Sequence, residues 1–197
     1  MALPAELRTA LSPQEVEFLA ENQHITIVPT RALPDKFELL SGEFGPFRPP
    51  LKSTVPLWLA LSLKKRGKCT VVVPEWIDAE YLEHKLEEER SLHDTFAELP
   101  SAWFETANLL MRHVKDDIVH FETVCSLIKS IKETRANKAV SLLKNIDIDL
   151  YSKRGYLELD HLGFAEINEI KPFFTRAFDE MGKFSGMLTK EADGMRQ

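Results

Sequence analysis

With 197 residues, 44% of them hydrophobic and 28% charged, the chain is long enough to bury a core and too apolar to be a disordered tail. A net charge of -6 argues against nonspecific adherence to nucleic acid, and 8 glycines leave little for phosphate-cradling loops. Cys69 and Cys125, each among apolar neighbours, suit reduced thiols of a nuclear or cytosolic protein rather than a disulfide framework.

The opening residues MALPAELRTALSPQE lack the basic-then-apolar pattern of a secretory leader, and no run approaches the roughly 18 apolar residues of a membrane span. Leu11-Ser12-Pro13-Gln14-Glu15-Val16 predicts a helix start: Ser12 caps, Pro13 fits the first position, Glu15 closes a capping box and Leu11 staples against Val16. That helix places Val16, Leu19 and Ala20 on one face and gives way before His24 to the β-branched run Ile25 to Val28. Phe37 to Leu40 reads as a second strand, turning at Ser41-Gly42-Glu43. The prolines of Gly45-Pro46-Phe47-Arg48-Pro49-Pro50 then require an ordered loop or edge. Two or three short strands with flanking helices make a small α+β unit that leans on something else.

From Pro56 to Arg66, Leu57, Trp58, Leu59, Leu61 and Leu63 wrap most of the way round a short helix, which predicts burial on several sides. Gly67 suits its left-handed cap. The cations Lys64, Lys65, Arg66 and Lys68 admit three readings: helix-end charges on a solvated edge, a partner or DNA contact, or an import signal. Residues 1–74 carry 9 basic and 7 acidic groups and residues 75–197 carry 16 and 24, so the charge changes sign after Pro74, where strands give way to helical periodicity. That is the expected domain boundary.

The second half reads as a helical array. Asp78 caps a helix to Arg90 with Tyr81, Leu82 and Leu86 inward and Glu87-Glu88-Glu89 outward, as a solvated face or an acidic docking surface. Ser101 caps the next, marked by Trp103, Ala107, Leu110, Met111 and Val114. The longest helix starts at Asp116 or Asp117 and lines up Ile118, Phe121, Val124, Cys125, Ile128 and Ile131. Lys129, Lys132, Arg135 and Lys138 step around it toward partners or solvent. Asn145 to Tyr156 reads as a connection, and a last helix from Asn168 or Lys171, with Pro172 in its first turn, shows Phe173, Phe174, Ala177, Phe178, Met181 and Phe184. So much aromatic surface is either the centre of a core or a subunit interface. The segment 188–197 reads as a loose tail.

Chemistry-bearing patterns are absent from the sequence. No Gly-rich loop ends in Gly-Lys-Ser or Gly-Lys-Thr, and no GxGxxG follows a strand. The six histidines, His24, His84, His93, His113, His120 and His161, lack zinc-site spacing, and the pair Asp116-Asp117 is explained as a helix start. Trp58, Trp76 and Trp103 lack the interleaved basic residues of a stacking platform; Trp76, after a proline, reads as core or as a binding hot spot. No cofactor is expected and no catalysis.

The segment Val55 to Trp76, VPLWLALSLKKRGKCTVVVPEW, resembles the Pro-Leu-Trp-Leu-Ala, Leu-Lys, Lys-Cys and Pro-Glu-Trp signature of the second partner-of-Sld-five subunits of the GINS complex. Val16 to Glu21, Gly45-Pro46-Phe47, Thr134-Arg135, Leu159-Asp160 and Glu166-Ile167-Asn168 follow the same pattern in the same order, so the likeness spans Gln14 to Met187. Val73 departs from it, standing where that family commonly has a second proline. The resemblance implies an α+β, predominantly helical chain: a β-containing B domain over 1–74, a helical A domain over 75–187 and a flexible tail over 188–197. It further implies a nuclear, non-catalytic subunit of a four-chain complex with subunits one and three of the series and Sld-five. That complex joins the minichromosome-maintenance ring, which holds the ATPase, to the cell-division-cycle protein numbered forty-five. The residues expected to meet partners are Trp58, Lys64, Lys65, Arg66, Lys68 and Trp76 in and after the first unit, and Phe121, Ile128, Ile131, Arg135, Phe173, Phe174, Phe178 and Phe184 in the long helices. A DNA-binding module acting through Lys64 to Lys68 is the alternative, and DNA contact within the complex is expected to be weak or indirect.

Overall fold

The computed structural model describes residues 10–93, 95–144 and 160–176. Helix α1 (Pro13–Ala20) begins as its sequence requires. The Ser12 hydroxyl accepts from the Glu15 N–H, and the Glu15 carboxylate accepts from the Ser12 N–H at 2.7 Å, closing the capping box. Val16 and Ala20 face inward, but Leu19 lies exposed, because an eight-residue helix buries only the stripe it turns toward its neighbour.

Strands β1 (His24–Pro29), β4 (Ser53–Pro56) and β5 (Cys69–Val72) form an antiparallel sheet in the order β4-β1-β5. Ile27 lies opposite Ser53 on one side and Val71 on the other. Alternation along β1 buries Ile25 and Ile27, the two-residue period that a half-buried strand demands. A separate hairpin joins β2 (Phe37–Leu39) to β3 (Gly42–Phe44). The expected turn at Gly42-Glu43 is therefore strand, and the reversal falls at Leu40-Ser41. The proline-rich loop behind it is ordered by a bridge between Leu33 and Phe47, whose main chains exchange hydrogen bonds of 2.8 and 2.9 Å. Five strands in all occupy the described N-terminal half, more than the two or three expected, because β3, β4 and β5 are only three or four residues long.

Helix α2 (Leu57–Lys65) runs back along this sheet with Leu57, Leu59, Ala60, Leu61 and Leu63 buried and Gly67 closing its end at φ 65°. No side chain caps its start. Instead the Leu57 and Trp58 N–H groups donate to the carbonyls of Gln23 and Glu21, so the α1–β1 connection satisfies the donors that a proline N-cap leaves free.

The helices of the second half are α3 (Ala79–Ser91), capped by Asp78 through the Glu80 and Tyr81 N–H groups, α4 (Trp103–His113), α5 (Phe121–Lys144) and α6, residues 164–176. Tyr81 turns outward, contrary to expectation, while Leu82 and Leu86 carry the inner face. Ser101 does not cap α4; its carbonyl accepts from the Phe164 N–H at 2.6 Å and so anchors α6. Asp116 and Asp117 do not open α5 either, since they belong to a short 3-10 turn, Lys115–Asp117, and α5 starts at Phe121. Helix α6 begins earlier than Asn168 because Glu166 accepts from the Gly163 N–H at 2.7 Å, closing the first turn from within. Pro172 consequently sits inside it and removes one ladder donor. The expected connection over 145–156 lies outside the described residues, as do Ala177, Phe178, Met181, Phe184 and the segment 188–197.

One buried cluster runs from Ile25, Ile27 and Val71 through Leu57 and Leu63 to Leu82, Trp103, Leu110, Ile128 and Ile131. The strands share their interior with the helices. Side chains stitch the halves as well: Thr106 donates to Gln23 at 3.0 Å, and Lys64 pairs with Asp117 at 2.7 Å. Burying each of the large aliphatic groups in this cluster contributes about 1.5–3 kcal/mol, which is why a small sheet survives here.

Candidate interaction surface

The apolar stripe of α5 recurs at Phe121, Val124, Ile128 and Ile131, alternating steps of three and four residues, and the next two positions in that rhythm are Arg135 and Lys138. Both therefore point where apolar residues belong. Arg135 is 1% exposed, and all five of its N–H donors are used. Nε and one terminal nitrogen grip the two Glu166 oxygens at 2.8 and 2.9 Å. The other terminal nitrogen reaches Glu89 at 2.8 Å and the Ala97 carbonyl at 3.0 Å, and the His161 carbonyl takes the remaining donor at 2.6 Å. Lys138 closes on the second Glu89 oxygen and on the Glu89 carbonyl. Two cations thus meet two carboxylates, and Phe96 and Trp103 lie 4.9 and 5.9 Å from the guanidinium.

Burial alone would push the Glu166 carboxyl up, but Arg135, by hydrogen bond and charge, and the Gly163 N–H hold it below the usual carboxylate range. Burial likewise opposes the charge on Arg135, and Glu166 and Glu89 more than reverse that. The network pins α6 and the Phe96–Ala97 segment to α3 and α5. Glu89 was expected on an outward acidic face and is fully buried, since its position on α3 faces the cationic end of the α5 stripe.

A second pair corrects another expectation. Lys64 leaves the basic cluster to bind both Asp117 oxygens at 2.7 Å, and Asp117 also accepts from the Val71 N–H at 2.9 Å. The acid blocks the outer edge of β5 while holding α2. Lys65 and Arg66 stay exposed and Lys68 is half-buried.

Of the remaining residues expected at a partner surface, Trp58 and Trp76 are half-buried on the core, Trp58 edge-on to Phe44 at 6.3 Å. Phe121 is half-buried beneath the Lys115 ammonium, 5.0 Å from its ring. Ile128, Ile131 and Arg135 are enclosed by their own chain and form core rather than surface. Phe174 is half-buried beside Phe173, and Phe173 is 54% exposed. Periodicity missed Phe18, Phe164 and Ile167, which face outward at 66%, 41% and 50%, and set Leu19, 45% exposed, on the inner face. They lie on α1 and α6, which are joined where the Asn168 amide donates to the Leu11 carbonyl at 2.9 Å and its oxygen accepts from the Leu11 N–H at 2.8 Å. Among the described residues no group of His, Cys, Asp and Glu could hold a metal ion, and no helix is long and apolar enough to cross a membrane.

Two family profiles match the chain in succession, one described as the PSF2 N-terminal domain over residues 12–72 and one as the GINS complex protein helical bundle domain over 76–184. The chain belongs to the PSF2 family of GINS proteins. It is 43% identical over 191 residues to the DNA replication complex GINS protein psf2 of Schizosaccharomyces pombe, covering 97% of this chain and all of that one. The Xenopus laevis PSF2 is 38% identical, covering 95% of this chain and 99% of its own, and the human PSF2 is 40% identical, covering 86% and 89%. The resemblance read from Val55 to Trp76 therefore stands, as does the α+β, mostly helical fold. Within this PSF2 fold the quoted Thr134-Arg135 and Glu166-Ile167-Asn168 motifs acquire a physical meaning: they supply the two halves of the buried ion pair and the Asn168 link to Leu11.

Proposed function

We propose that the chain is a non-catalytic subunit of a four-chain GINS complex in a eukaryotic nucleus, acting in DNA replication by holding other proteins in place. Membership of the PSF2 family supports the assembly. The structural observation that carries the reading is the set of large apolar side chains left outward on α1 and α6, namely Phe18, Leu19, Phe164, Ile167 and Phe173. Exposed groups of this size on neighbouring helices are costly in water and are what an obligate subunit covers with a partner. The partners in this reading are subunits one and three of the series and Sld-five. The assembled complex clamps the minichromosome-maintenance ring and the cell-division-cycle protein numbered forty-five, and the ring performs the ATP chemistry. Residues 1–74 and 75–187 serve as two units, the first turned toward the rest of the helicase through Trp58 and the free cations, the second toward its sister subunits through α6 and the outer face of α5.

Co-expression with the three sister subunits tests this. A stoichiometric complex is expected from the unaltered chain, and Ile167→Asp with Phe173→Asp should release this chain from it while leaving its helical content unchanged. Retention of the doubly substituted chain would contradict the assignment of that face.

A further inference from the structure

Cations of the N-terminal unit that form no ion pair among the described residues are brought to one end of the sheet by its topology. Strand β4 starts after Lys52 and lies beside the end of β1, with Ser53 opposite Ile27. Just past β1, the Thr30 N–H donates to the Lys68 carbonyl at 2.9 Å, which sets Arg31 beside the start of β5. The Leu33–Phe47 bridge then runs the Arg31 segment alongside Arg48, and the Leu51 N–H donates to the Arg48 carbonyl at 2.8 Å. Helix α2 ends at this same edge, delivering Lys65 and Arg66.

Residues 24–72 carry 8 basic and 3 acidic groups, opposite in sign to the chain's net -6. Two of the acids that could neutralise the cluster are already engaged: Asp117 holds Lys64, and Glu43 holds Lys36 at 3.1 Å. Capping of α2 accounts for charge at Lys65 and Arg66 but not for Arg31, Arg48 or Lys52, which belong to no helix end. Among these cations Leu51 stands 63% exposed.

We propose that this sheet end, formed by Arg31, Arg48, Lys52, Arg66 and Lys68 around Leu51, is a docking surface for a short acidic protein segment that carries an apolar side chain. The cations match the segment's carboxylates, and Leu51 gives its apolar group something to bury against. A nucleic-acid backbone fits less well. It offers nothing for Leu51, and a long polyanion extends beyond a Debye length of about 8–10 Å into the acidic remainder of the molecule, whereas a short segment does not. The surface differs from the basic run read in the sequence, because it loses Lys64 to Asp117 and gains three cations, Arg31, Arg48 and Lys52, together with Leu51 from other parts of the chain.

The full chain, in the assembly in which it purifies, is titrated by fluorescence anisotropy with three labelled probes. These are a short Asp/Glu peptide with a central Leu-Phe pair, the same peptide with Ser-Ser at that pair, and an oligothymidine of equal charge. The Leu-Phe peptide should bind about tenfold more tightly than the other two. Arg31→Glu with Lys52→Glu should weaken it at least tenfold, and Leu51→Ser should erase its advantage over the Ser-Ser peptide. All three positions are exposed, so circular dichroism and melting should match the unaltered protein, and Arg48→Gln with Leu51→Ser repeats the comparison if the charge reversals do not fold. Equal or tighter binding of oligothymidine, equal binding of the two peptides, binding indifferent to the substitutions, or no binding of the Leu-Phe peptide would each overturn the proposal.

Discussion

Arg135 shows how much a single side chain decides in this protein. Replacing it with Met would leave Glu89 and Glu166 buried beside one remaining cation, and breaking a buried ion pair on one side costs about 3–5 kcal/mol. Arg135→Met should therefore lower stability by that order in a denaturant titration. Arg135→Lys should recover only part of it, because an ammonium cannot grip Glu166 with two parallel bonds. Glu166 has its folded pKa depressed, so its contribution is present above the unfolded carboxylate value of about 4.3 and is lost as pH falls through the lower folded value. Glu105 behaves oppositely. Burial raises its carboxyl, and the nearby Glu105 and Ala165 N–H groups, set too poorly for full hydrogen bonds, and the Lys132 charge lower it by less. Its contribution is present below about 4.3 and is lost as pH rises through the raised folded value, so Glu105→Gln should raise the melting temperature at neutral pH and leave it nearly unchanged near about pH 4. Burial also lifts the Cys69 thiol to about 11, while Cys125 is half-buried with its sulfur 3.2 Å from that of Met111. In the native protein iodoacetamide should modify Cys125 before Cys69, as read by peptide mass mapping.

At the scale of elements, local signals were legible wherever the physics was local. Ser12 and Glu15 announced α1, Asp78 announced α3, and Gly67 announced the end of α2, since each cap depends on neighbours in sequence. Removing one should show it: Ser12→Ala should cost about 1 kcal/mol. What sequence alone did not disclose were long-range partners. Glu89 looked like part of a solvated acidic run, because nothing within α3 reveals that Arg135 and Lys138 lie across from it. The signal existed in α5, where the three-and-four rhythm of Phe121, Val124, Ile128 and Ile131 continues into two cations. A cation in a core register requires a buried acid. The start of α6 escaped for a similar reason, since Glu166 reads as an ordinary helical acid until Gly163 and Arg135 are seen on it. Gly163 is itself constrained from outside its element: a Cβ there would lie 2.9 Å from the Trp103 indole nitrogen. Gly163→Ala should force Trp103 or α6 to shift and cost about 1–3 kcal/mol by calorimetry.

At the scale of the whole molecule, sheet and helices share one interior, while α1 and α6 carry large apolar groups outward that this interior does not absorb. The sequence anticipated surplus apolar surface but placed part of it wrongly, assigning Ile128 and Ile131 to partners when α3 and α4 already enclose them. The outward residues Phe18 and Ile167 were overlooked, and Leu19 was placed on the inner face, because short helices show no clear second stripe. The most direct measurement is the state of the purified chain alone, compared with the same chain co-expressed with the three sister subunits, by light scattering and chemical unfolding. The chain alone should self-associate and bind a hydrophobic dye. The co-expressed chain should be monodisperse, with one copy per complex and the dye signal gone. A soluble monomer that unfolds cooperatively, binds no dye and gains nothing from its sisters would contradict the scaffold reading.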